Sequence, residues 1–426
     1  MSLFATSSFD STVLVLGGML VLGALLAGVA HRSLLSLTAL FVIAGFVLGP
    51  GVLDVLHFDP RSGFVNSLAT VALIVILFRD GLEVEAEMLQ RAWRLPARAL
   101  AFAMPLTVVL VAAAAKVLIG LSWAEALLLG ALLAPTDPVL SSSVITNPRV
   151  PRVIRHSLNL ESGLNDGLAL PAVLAFAAAL DPTVHGFSWW KFVLQDVTVG
   201  VLTGLVLGLA GARLMPRDRA LGHEITPRQK SLYALGIAFA CYGIAVADPR
   251  GNAFIAVFVC AIAFGIMRPD IRECFENRSE DLIEIVKLGI FVTFGSLLSF
   301  PRLFNDGWSA IAVVAATLVV IRPISIFTSL HRTGLSVRAK AFIGWFGPKG
   351  VATMTFSLLI LHRDLAAAER IFDIVALAVL TSIIAHGLTD HAEAEWIGRH
   401  AEPEQTGDAA TGFDRVKPGE PTPRAE

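Results

Sequence analysis

The sequence RHSLNLESGLNDGLALPAVLAFAAAL, residues 155–180, is the most informative part of this chain. It is apolar enough to span a bilayer, yet it carries Glu161, Asn165 and Asp166 about one helical turn apart. An ionised group at membrane depth costs several kcal/mol unless it has a partner or faces a wet cavity. We therefore interpret this stretch as a transmembrane helix that carries an ion or proton pathway.

The remainder of the chain is also apolar. Of its 426 residues, 55% are hydrophobic and 16% are charged, and the mean hydropathy is +0.70. This composition excludes an ordinary soluble domain of this length. Apolar runs of roughly 16 to 25 residues recur from end to end, and each is long enough for a tilted helix through about 30 Å of hydrocarbon.

We count about thirteen such runs, with the limits 11–30, 34–53, 64–78, 98–121, 125–145, 155–180, 191–215, 229–247, 252–267, 281–300, 308–330, 337–361 and 371–388. The sequence therefore predicts an all-α, polytopic membrane protein with about thirteen transmembrane helices. Its surroundings are the lipid bilayer, and no sequence feature indicates a nucleic-acid or protein partner.

The loop charges predict an orientation, because Lys and Arg accumulate on the cytoplasmic side of short loops. The loops after odd-numbered runs hold most of the arginines. We therefore expect a multi-pass protein of the inner (plasma) membrane with its N-terminus outside and its C-terminus in the cytoplasm. From residue 391 the composition shifts to Pro, Glu, Gly, Thr and Arg. This shift predicts a membrane domain over residues 1–390 and a short disordered cytoplasmic tail over 391–426.

The fifth run, EALLLGALLAPTDPVLSSSVI, is interrupted. Pro135 and Pro138 flank Thr136 and Asp137, and prolines remove backbone donors and clash with preceding carbonyls, so the helix should break. Transporters bind ions at such breaks, because irregular backbone at membrane depth must line a cavity or pack in protein. The alternative is a simple proline kink with Asp137 as an N-cap.

The twelfth run, AFIGWFGPKGVATMTFSLLIL, contains a matching interruption. Gly347, Pro348, Lys349 and Gly350 combine two flexible residues, a helix breaker and a cation. Interrupted runs at corresponding positions of two halves point to an inverted repeat with a site where the two broken helices cross. Lys349 either balances the helix termini at the crossing or snorkels from a helix end.

The eleventh run places a cation deep in apolar sequence. Arg322 is followed by Pro323, and its permanently charged guanidinium needs a carboxylate partner unless it snorkels to an interface. Glu161 is the candidate partner. A bidentate pair would hold Glu161 ionised and leave Asp166 free to exchange its proton. His386, near the end of the thirteenth run, is interpreted as an interfacial residue, with pH sensing as the alternative.

The spacing within the sixth run predicts one polar patch. Glu161 and Asn165 share a helix face, as do Ser162 and Asp166.

Gly163 lies among these polar residues and Gly167 directly follows them, and both allow close approach of another backbone. Hard oxygen ligands suit a small monovalent cation such as Na⁺. The candidate ligands are Asp166, Asp137, Ser162 and Thr136. No His or Cys cluster offers a transition-metal site, and no cofactor is indicated.

Four motifs together point to one family. They are PTDPV from Pro135, ESGLNDG from Glu161, RPISI from Arg322 and GPKGVAT from Gly347. In this combination the chain resembles the monovalent cation:proton antiporter-1 family, the NhaP-type sodium/proton exchangers of bacteria and archaea. The resemblance covers about residues 11–388.

The resemblance implies a secondary antiporter rather than an enzyme, in which a monovalent cation, Na⁺ or Li⁺, and H⁺ compete for Asp166 by alternating access. Asn165 stands where electrogenic relatives carry a second aspartate, which implies electroneutral exchange and a role in pH homeostasis. Arg322 matches the family arginine that pairs with the glutamate. The residues that complete or support the ion site by this resemblance are Asp137, Thr136, Ser162 and Glu161.

The family architecture implies a moving core bundle, about residues 98–180 and 308–388, against a scaffold that forms a homodimer. Two departures are visible. Gly163 replaces a commoner bulky residue in ESLLNDG, and Lys349 replaces the usual arginine of the G-x-R-G segment.

Three alternatives remain. A potassium/proton antiporter would share the fold and the motifs. An intramembrane aspartyl hydrolase would use Asp137 and Asp166 as a dyad, although the expected G-x-G-D element is absent before Asp166. A cation channel would need a repeated carbonyl filter such as TVGYG, which this sequence lacks.

Overall fold

The computed structural model describes residues 17–18, 21, 37–84, 94–137, 150, 152–182, 187–216, 225–247, 251–363 and 365–400. Within these ranges every regular element is helical. Most of the first predicted run, residues 138–145 of the fifth and the chain beyond residue 400 lie outside the described residues.

The helices are, in chain order, α1 (Leu37–Leu48), α2 (Gly63–Leu82), α3 (Arg94–Arg98), α4 (Met104–Leu118), α5 (Trp123–Leu133), α6 (Arg152–Leu180), α7 (Trp189–Lys191), α8 (Thr198–Leu214), α9 (Pro227–Ala247), α10 (Ala253–Met267), α11 (Pro269–Ser296), α12 (Phe300–Leu303), α13 (Gly307–Ala316), α14 (Arg322–Ser329), α15 (Val337–Trp345), α16 (Val351–Leu361) and α17 (Ala368–His400). Three π-helical segments join α3 to α4, α7 to α8 and α13 to α14, and they are Ala99–Ala103, Phe192–Val197 and Thr317–Ile321.

Many of these helices are long and apolar enough to cross a membrane. Seven spans among the described residues pass this test, and α10 with the start of α11, bent by 117°, gives an eighth. Each predicted run from the second to the thirteenth contains a helix. The predicted all-α, polytopic membrane fold is confirmed, whereas the described residues do not establish the number thirteen.

Prolines explain two of the π-helical segments. Pro105 and Pro323 are each the second residue of the helix that follows such a segment. Proline has no N–H to donate and its ring crowds the preceding turn, and the wider π turn relieves that crowding. The segment Thr317–Ile321 thereby sets the direction of the next residue, Arg322, which is 5% exposed.

Helix α2 lies at the centre of the fold. Residues 72–78 are all buried, and the helix packs against α6, α10, α11 and α16. A helix that is apolar on every side is stable only when other helices surround it.

The helices of the fourth to sixth and eleventh to thirteenth runs contact one another closely. Helix α5 packs against α4 and α6, α13 packs against α4, α14 against α15, and α16 against α17. These contacts bring the two interrupted runs together, which positions the candidate site.

The C-terminal helix is longer than expected. Helix α17 continues to His400, so residues 391–400 are helical where the sequence predicted a disordered tail. Alanine and glutamate in this segment favour a helix, and Ile397, which is 1% exposed, packs in an apolar cluster with Phe342 and Ile343 of α15. Burial of this side chain holds the extra turns against the bundle.

Candidate functional site

The two interrupted runs cross each other. Helices α5 and α15 each end in a non-helical segment, and the two segments are in direct contact. The backbone N–H of Asp137 donates to the carbonyl oxygen of Pro348, with an N–O distance of 2.8 Å. The ammonium of Lys349 donates to the carbonyl oxygen of Pro135 at 3.1 Å. Each broken backbone therefore satisfies polar groups of the other, as burial at membrane depth requires.

The Asp137 carboxylate caps a half-helix. Its Oδ2 accepts a hydrogen bond of 3.0 Å from the backbone N–H of Val351, the first residue of α16. A Cβ at Gly350 would overlap the Asp137 side chain, so only glycine allows this approach. Asp137 therefore stabilises the positive end of a half-helix in the other interrupted run. The kink alternative placed this cap on the fifth run, and the structure places it on the twelfth.

Helix α6 holds the broken backbone at Thr136. The Ser162 hydroxyl donates to the carbonyl oxygen of Thr136 at 2.7 Å. The Asn165 amide donates to the same carbonyl at 3.3 Å and to the Thr136 hydroxyl at 2.7 Å. All three side chains are buried, so these bonds orient the Thr136 oxygens toward α6. The structure thus brings Thr136, Ser162 and Asn165 together.

Two oxygens on adjacent residues of α6 lack a donor. Asn165 Oδ1 and Asp166 Oδ1 are buried and have no hydrogen-bond partner among the described residues. The two residues are 2% and 6% exposed. A buried acceptor without a donor costs free energy, and a proton or a cation would remove that cost. The arrangement can therefore bind either a proton or a small monovalent cation.

Glu161 and Arg322 form a buried ion pair. Arg322 Nη2 lies 3.1 Å from Glu161 Oε1, and the residues are 5% and 6% exposed. The expected bidentate geometry is not present, because the same nitrogen also donates to the carbonyl oxygen of Phe346 at 3.3 Å. The burial of Arg322 also rules out the snorkelling alternative. A Cβ at Gly347 would overlap the guanidinium, so glycine is required there.

Lys349 is fully enclosed. It is 1% exposed, so it does not snorkel from a helix end. Its ammonium lies against the carbonyl of Pro135, just beyond the C-terminal end of α5, where a positive charge is stabilised. Lys349 and Asp137 therefore place opposite charges at the crossing, each at the helix end that favours it.

The sequence interpretation missed one buried carboxylate. Asp80 on α2 is 1% exposed, and its Oδ1 lies 2.6 Å from Arg79 Nη2. Its Oδ2 has no hydrogen-bond partner within the described ranges. Asp166 interacts electrostatically with both Asp80 and Asp137. The predicted run ended at residue 78, whereas α2 continues to Leu82, and the adjacent Arg–Asp pair was the signal that could have extended it.

A second cation lies near the same carboxylates. Lys287 on α11 is 9% exposed and interacts electrostatically with Asp80 and Asp137. The side chain of Glu83 also lies close to α6, because a Cβ at Gly163 would be 3.6 Å from Glu83 Oε2. Charged residues of both signs, from α2 and α11, therefore lie near the carboxylates of the site.

The two glycines of the polar patch differ in what surrounds them. A Cβ at Gly167 would lie 2.5 Å from ring atoms of Phe258, whereas a Cβ at Gly163 would make only ordinary contacts. We expect Gly167→Ala to lower stability by about 1–3 kcal/mol, because the ring or the helix must move. Gly163→Ala, one helical turn away, should have the same melting temperature as the wild-type protein. Thermal unfolding of the purified variants measures this, and equal melting temperatures for the two variants would contradict it.

Two broken helices that cross at buried carboxylates define a class, the helical secondary transporters. The chain matches the model of the sodium/hydrogen exchanger transmembrane family over residues 19–392. It belongs to this family.

Known proteins share its sequence pattern and its fold. The K(+)/H(+) antiporter NhaP of Alkalimonas amylolytica is 23% identical over 97% of this chain and 71% of its own length. The K(+)/H(+) antiporter NhaP2 of Shewanella sp. (strain ANA-3) is 23% identical over 89% of this chain, which spans 66% of that relative. The sodium proton antiporter MjNhaP1 of Methanocaldococcus jannaschii superposes with a TM-score of 0.78 at 18% identity, covering 92% of this chain and 98% of the other. This last similarity shows the shared fold.

Proposed function

We propose that this protein exchanges Na⁺ for H⁺ across a membrane, one cation for one proton, with Asp166 as the group that both ions share. The buried Oδ1 of Asp166 carries this proposal, because it has no hydrogen-bond partner among the described residues. Oδ1 of Asn165, the preceding residue, is also buried without a hydrogen-bond partner in the described part of the chain. Both oxygens can accept a cation, and the carboxylate alone can receive a proton.

Competition for one carboxylate couples the two fluxes. On the side of low proton activity Asp166 loses its proton and binds a cation, and on the acidic side protonation displaces the cation. Either neutralised form can pass through the barrier. The bare anion cannot pass easily, because moving an unpaired charge into a medium of low dielectric is costly.

The charges around the site favour one proton per cation. Arg322 neutralises Glu161, and Arg79 neutralises Asp80. Asp166 is then the group whose charge an incoming ion must balance. The amide of Asn165 adds no charge beside it, and one carboxylate exchanges one unit charge at a time.

The oxygens for a cation would come from α6 and from the fifth run. Asp166 supplies a carboxylate, and Ser162 keeps lone pairs after donating to Thr136. Asp137 contributes negative charge, although its Oδ2 already caps α16. Oxygen ligands of this kind recoordinate a dehydrated alkali cation.

K⁺ in place of Na⁺ is the second candidate. NhaP and NhaP2, which align with most of this chain, are named as K(+)/H(+) antiporters. The same set of oxygens serves either ion, and cavity size and ligand geometry set the preference between them.

The test is transport in proteoliposomes with an internal pH dye. Adding Na⁺, Li⁺ or K⁺ outside acid-loaded vesicles should raise the internal pH, and the order of the rates identifies the cargo. An imposed voltage should leave the rate unchanged, because the exchange moves no net charge. If none of the three cations changed the internal pH, antiport would be refuted. A transport rate that depends on the voltage would refute the one-to-one ratio.

We also propose a homodimer, from the family resemblance, and an orientation in the inner (plasma) membrane with the N-terminus outside, from the loop charges. The bundle of about residues 98–180 and 308–388 would move against the remaining helices. The contacts among α4 to α6 and α13 to α17 support such a bundle. Cross-linking in native membranes and labelling of single cysteines from either side would test both points.

A further inference from the structure

Helix α17 brings two buried side chains to the interruption of the twelfth run. Ser382 and His386 are one helical turn apart and are 0% and 2% exposed. His386 therefore does not lie at a membrane interface, where the sequence interpretation placed it. The competition of two ions for Asp166 does not by itself require either residue.

These side chains connect the two ends of the broken segment, residues 346–350. The backbone N–H of Lys349 donates to Ser382 Oγ at 2.8 Å. Ser382 Oγ lies 3.1 Å from His386 Nδ1, and His386 Nε2 lies 2.9 Å from the carbonyl oxygen of Trp345. A continuous chain of hydrogen bonds thus runs from the start of α16 to the end of α15.

Both ring nitrogens of His386 lie beside carbonyl oxygens. Nε2 faces the carbonyl of Trp345, and Nδ1 faces the carbonyl and the hydroxyl of Ser382, whose hydroxyl accepts from the backbone N–H of Lys349. A carbonyl oxygen only accepts, so each ring nitrogen that carries a hydrogen donates to the carbonyl that it faces. Nδ1 also lies 2.7 Å from the carbonyl oxygen of Ser382. The positive charges of Lys349 and Arg322 also interact electrostatically with the ring.

Two carbonyls of the broken segment have partners in other parts of the chain. The Arg322 guanidinium donates to the carbonyl of Phe346, and the backbone N–H of Asp137 donates to that of Pro348. The Trp345 carbonyl also accepts from Gly347 within the segment. At membrane depth the backbone must be paired throughout, and the His386–Ser382 pair supplies the only side-chain contacts to Trp345 O and Lys349 N within the described residues.

We propose that His386 is a positioning residue, which with Ser382 holds the broken segment so that Lys349 reaches Pro135 and Asp137 caps α16. This inference rests on the proposed function, because the held segment faces the ion site. The chemistry needed at position 386 is a side chain that donates to Trp345 O and forms a hydrogen bond with Ser382.

The positioning role of His386 is tested with the full chain in proteoliposomes. His386→Phe keeps the ring volume and removes the hydrogen bonds of the imidazole, and we expect the KM for the cation to rise at least about tenfold, the factor that corresponds to one lost buried hydrogen bond. His386→Gln keeps a donor toward Trp345 and should recover most of the affinity. Thr389→Val is the matched control, because Thr389 accepts from the Trp345 indole at 3.0 Å without contacting the broken segment.

Two further measurements keep the test decisive. Ser382→Ala should raise KM alone but add nothing to His386→Phe, because the two residues act through one chain, and multiplying effects would overturn the proposal. Hydrogen exchange of residues 346–350 should quicken in His386→Phe and not in Thr389→Val, whether or not the protein transports. Unchanged hydrogen exchange in His386→Phe overturns the positioning role, whereas a wild-type protein that moves no cation overturns only the proposed function.

Discussion

Asp166→Asn is expected to reduce exchange to the level of protein-free vesicles while the protein remains folded. The amide keeps the size of the side chain but can neither release a proton nor neutralise a cation, so both half-reactions stop. Stability should be equal or higher, because an unpartnered buried carboxylate is replaced by a neutral group. The pH-dye assay measures the exchange, and thermal unfolding measures the fold.

Asp196→Asn is the matched control for this variant. Asp196 is a half-buried carboxylate on a different membrane helix, outside the group of contacts around Thr136, and the same substitution there should leave exchange unchanged. Exchange above background in a folded Asp166→Asn protein would remove Asp166 from its proposed role.

Breaking the Glu161–Arg322 pair is expected to have the largest effect on stability. Glu161→Gln or Arg322→Gln alone leaves one charge buried without its partner, at a cost of about 3–5 kcal/mol. The double variant removes both charges and should regain a large part of that loss. Unfolding measured in the same detergent for the four proteins gives the coupling energy.

The half-exposed pair Arg302–Asp373 provides the comparison. Its nitrogen and oxygen lie 3.2 Å apart, but the side chains are 38% and 14% exposed. Water screens that pair, so Arg302→Gln should cost no more than about 1 kcal/mol. Additive losses in the Glu161 and Arg322 variants, or equal losses at the two pairs, would show that burial does not set the strength of the first.

Much of the fold is predictable from the sequence because its cause is local. A helix that crosses a bilayer satisfies its own backbone, so the length and polarity of each run decide that it is a helix. The prolines at 135 and 348 likewise break their own helices wherever these helices pack. For this reason the interruptions of the fifth and twelfth runs were predicted at the right positions.

The charged residues at the ends of runs were harder to predict. Asp80 follows Arg79, and hydropathy alone ends the run before both. In the structure, α6 and α10 pack against α2. Asp80 is therefore buried, although the Arg79–Asp80 pair is typical of a loop in sequence. His386 was misplaced for the same reason, because only the packing of α15 against α17 encloses it.

The membrane class, the helical runs and the presence of a carboxylate that must be paired or exposed to ions follow from local sequence alone. Which groups meet depends on the tertiary structure. Arg322 and Glu161 are 161 positions apart, and Lys349 and Pro135 are 214 apart. Helix formation depends on neighbours along the chain, whereas these contacts depend on how separate helices cross, and the crossing follows from packing over the whole molecule.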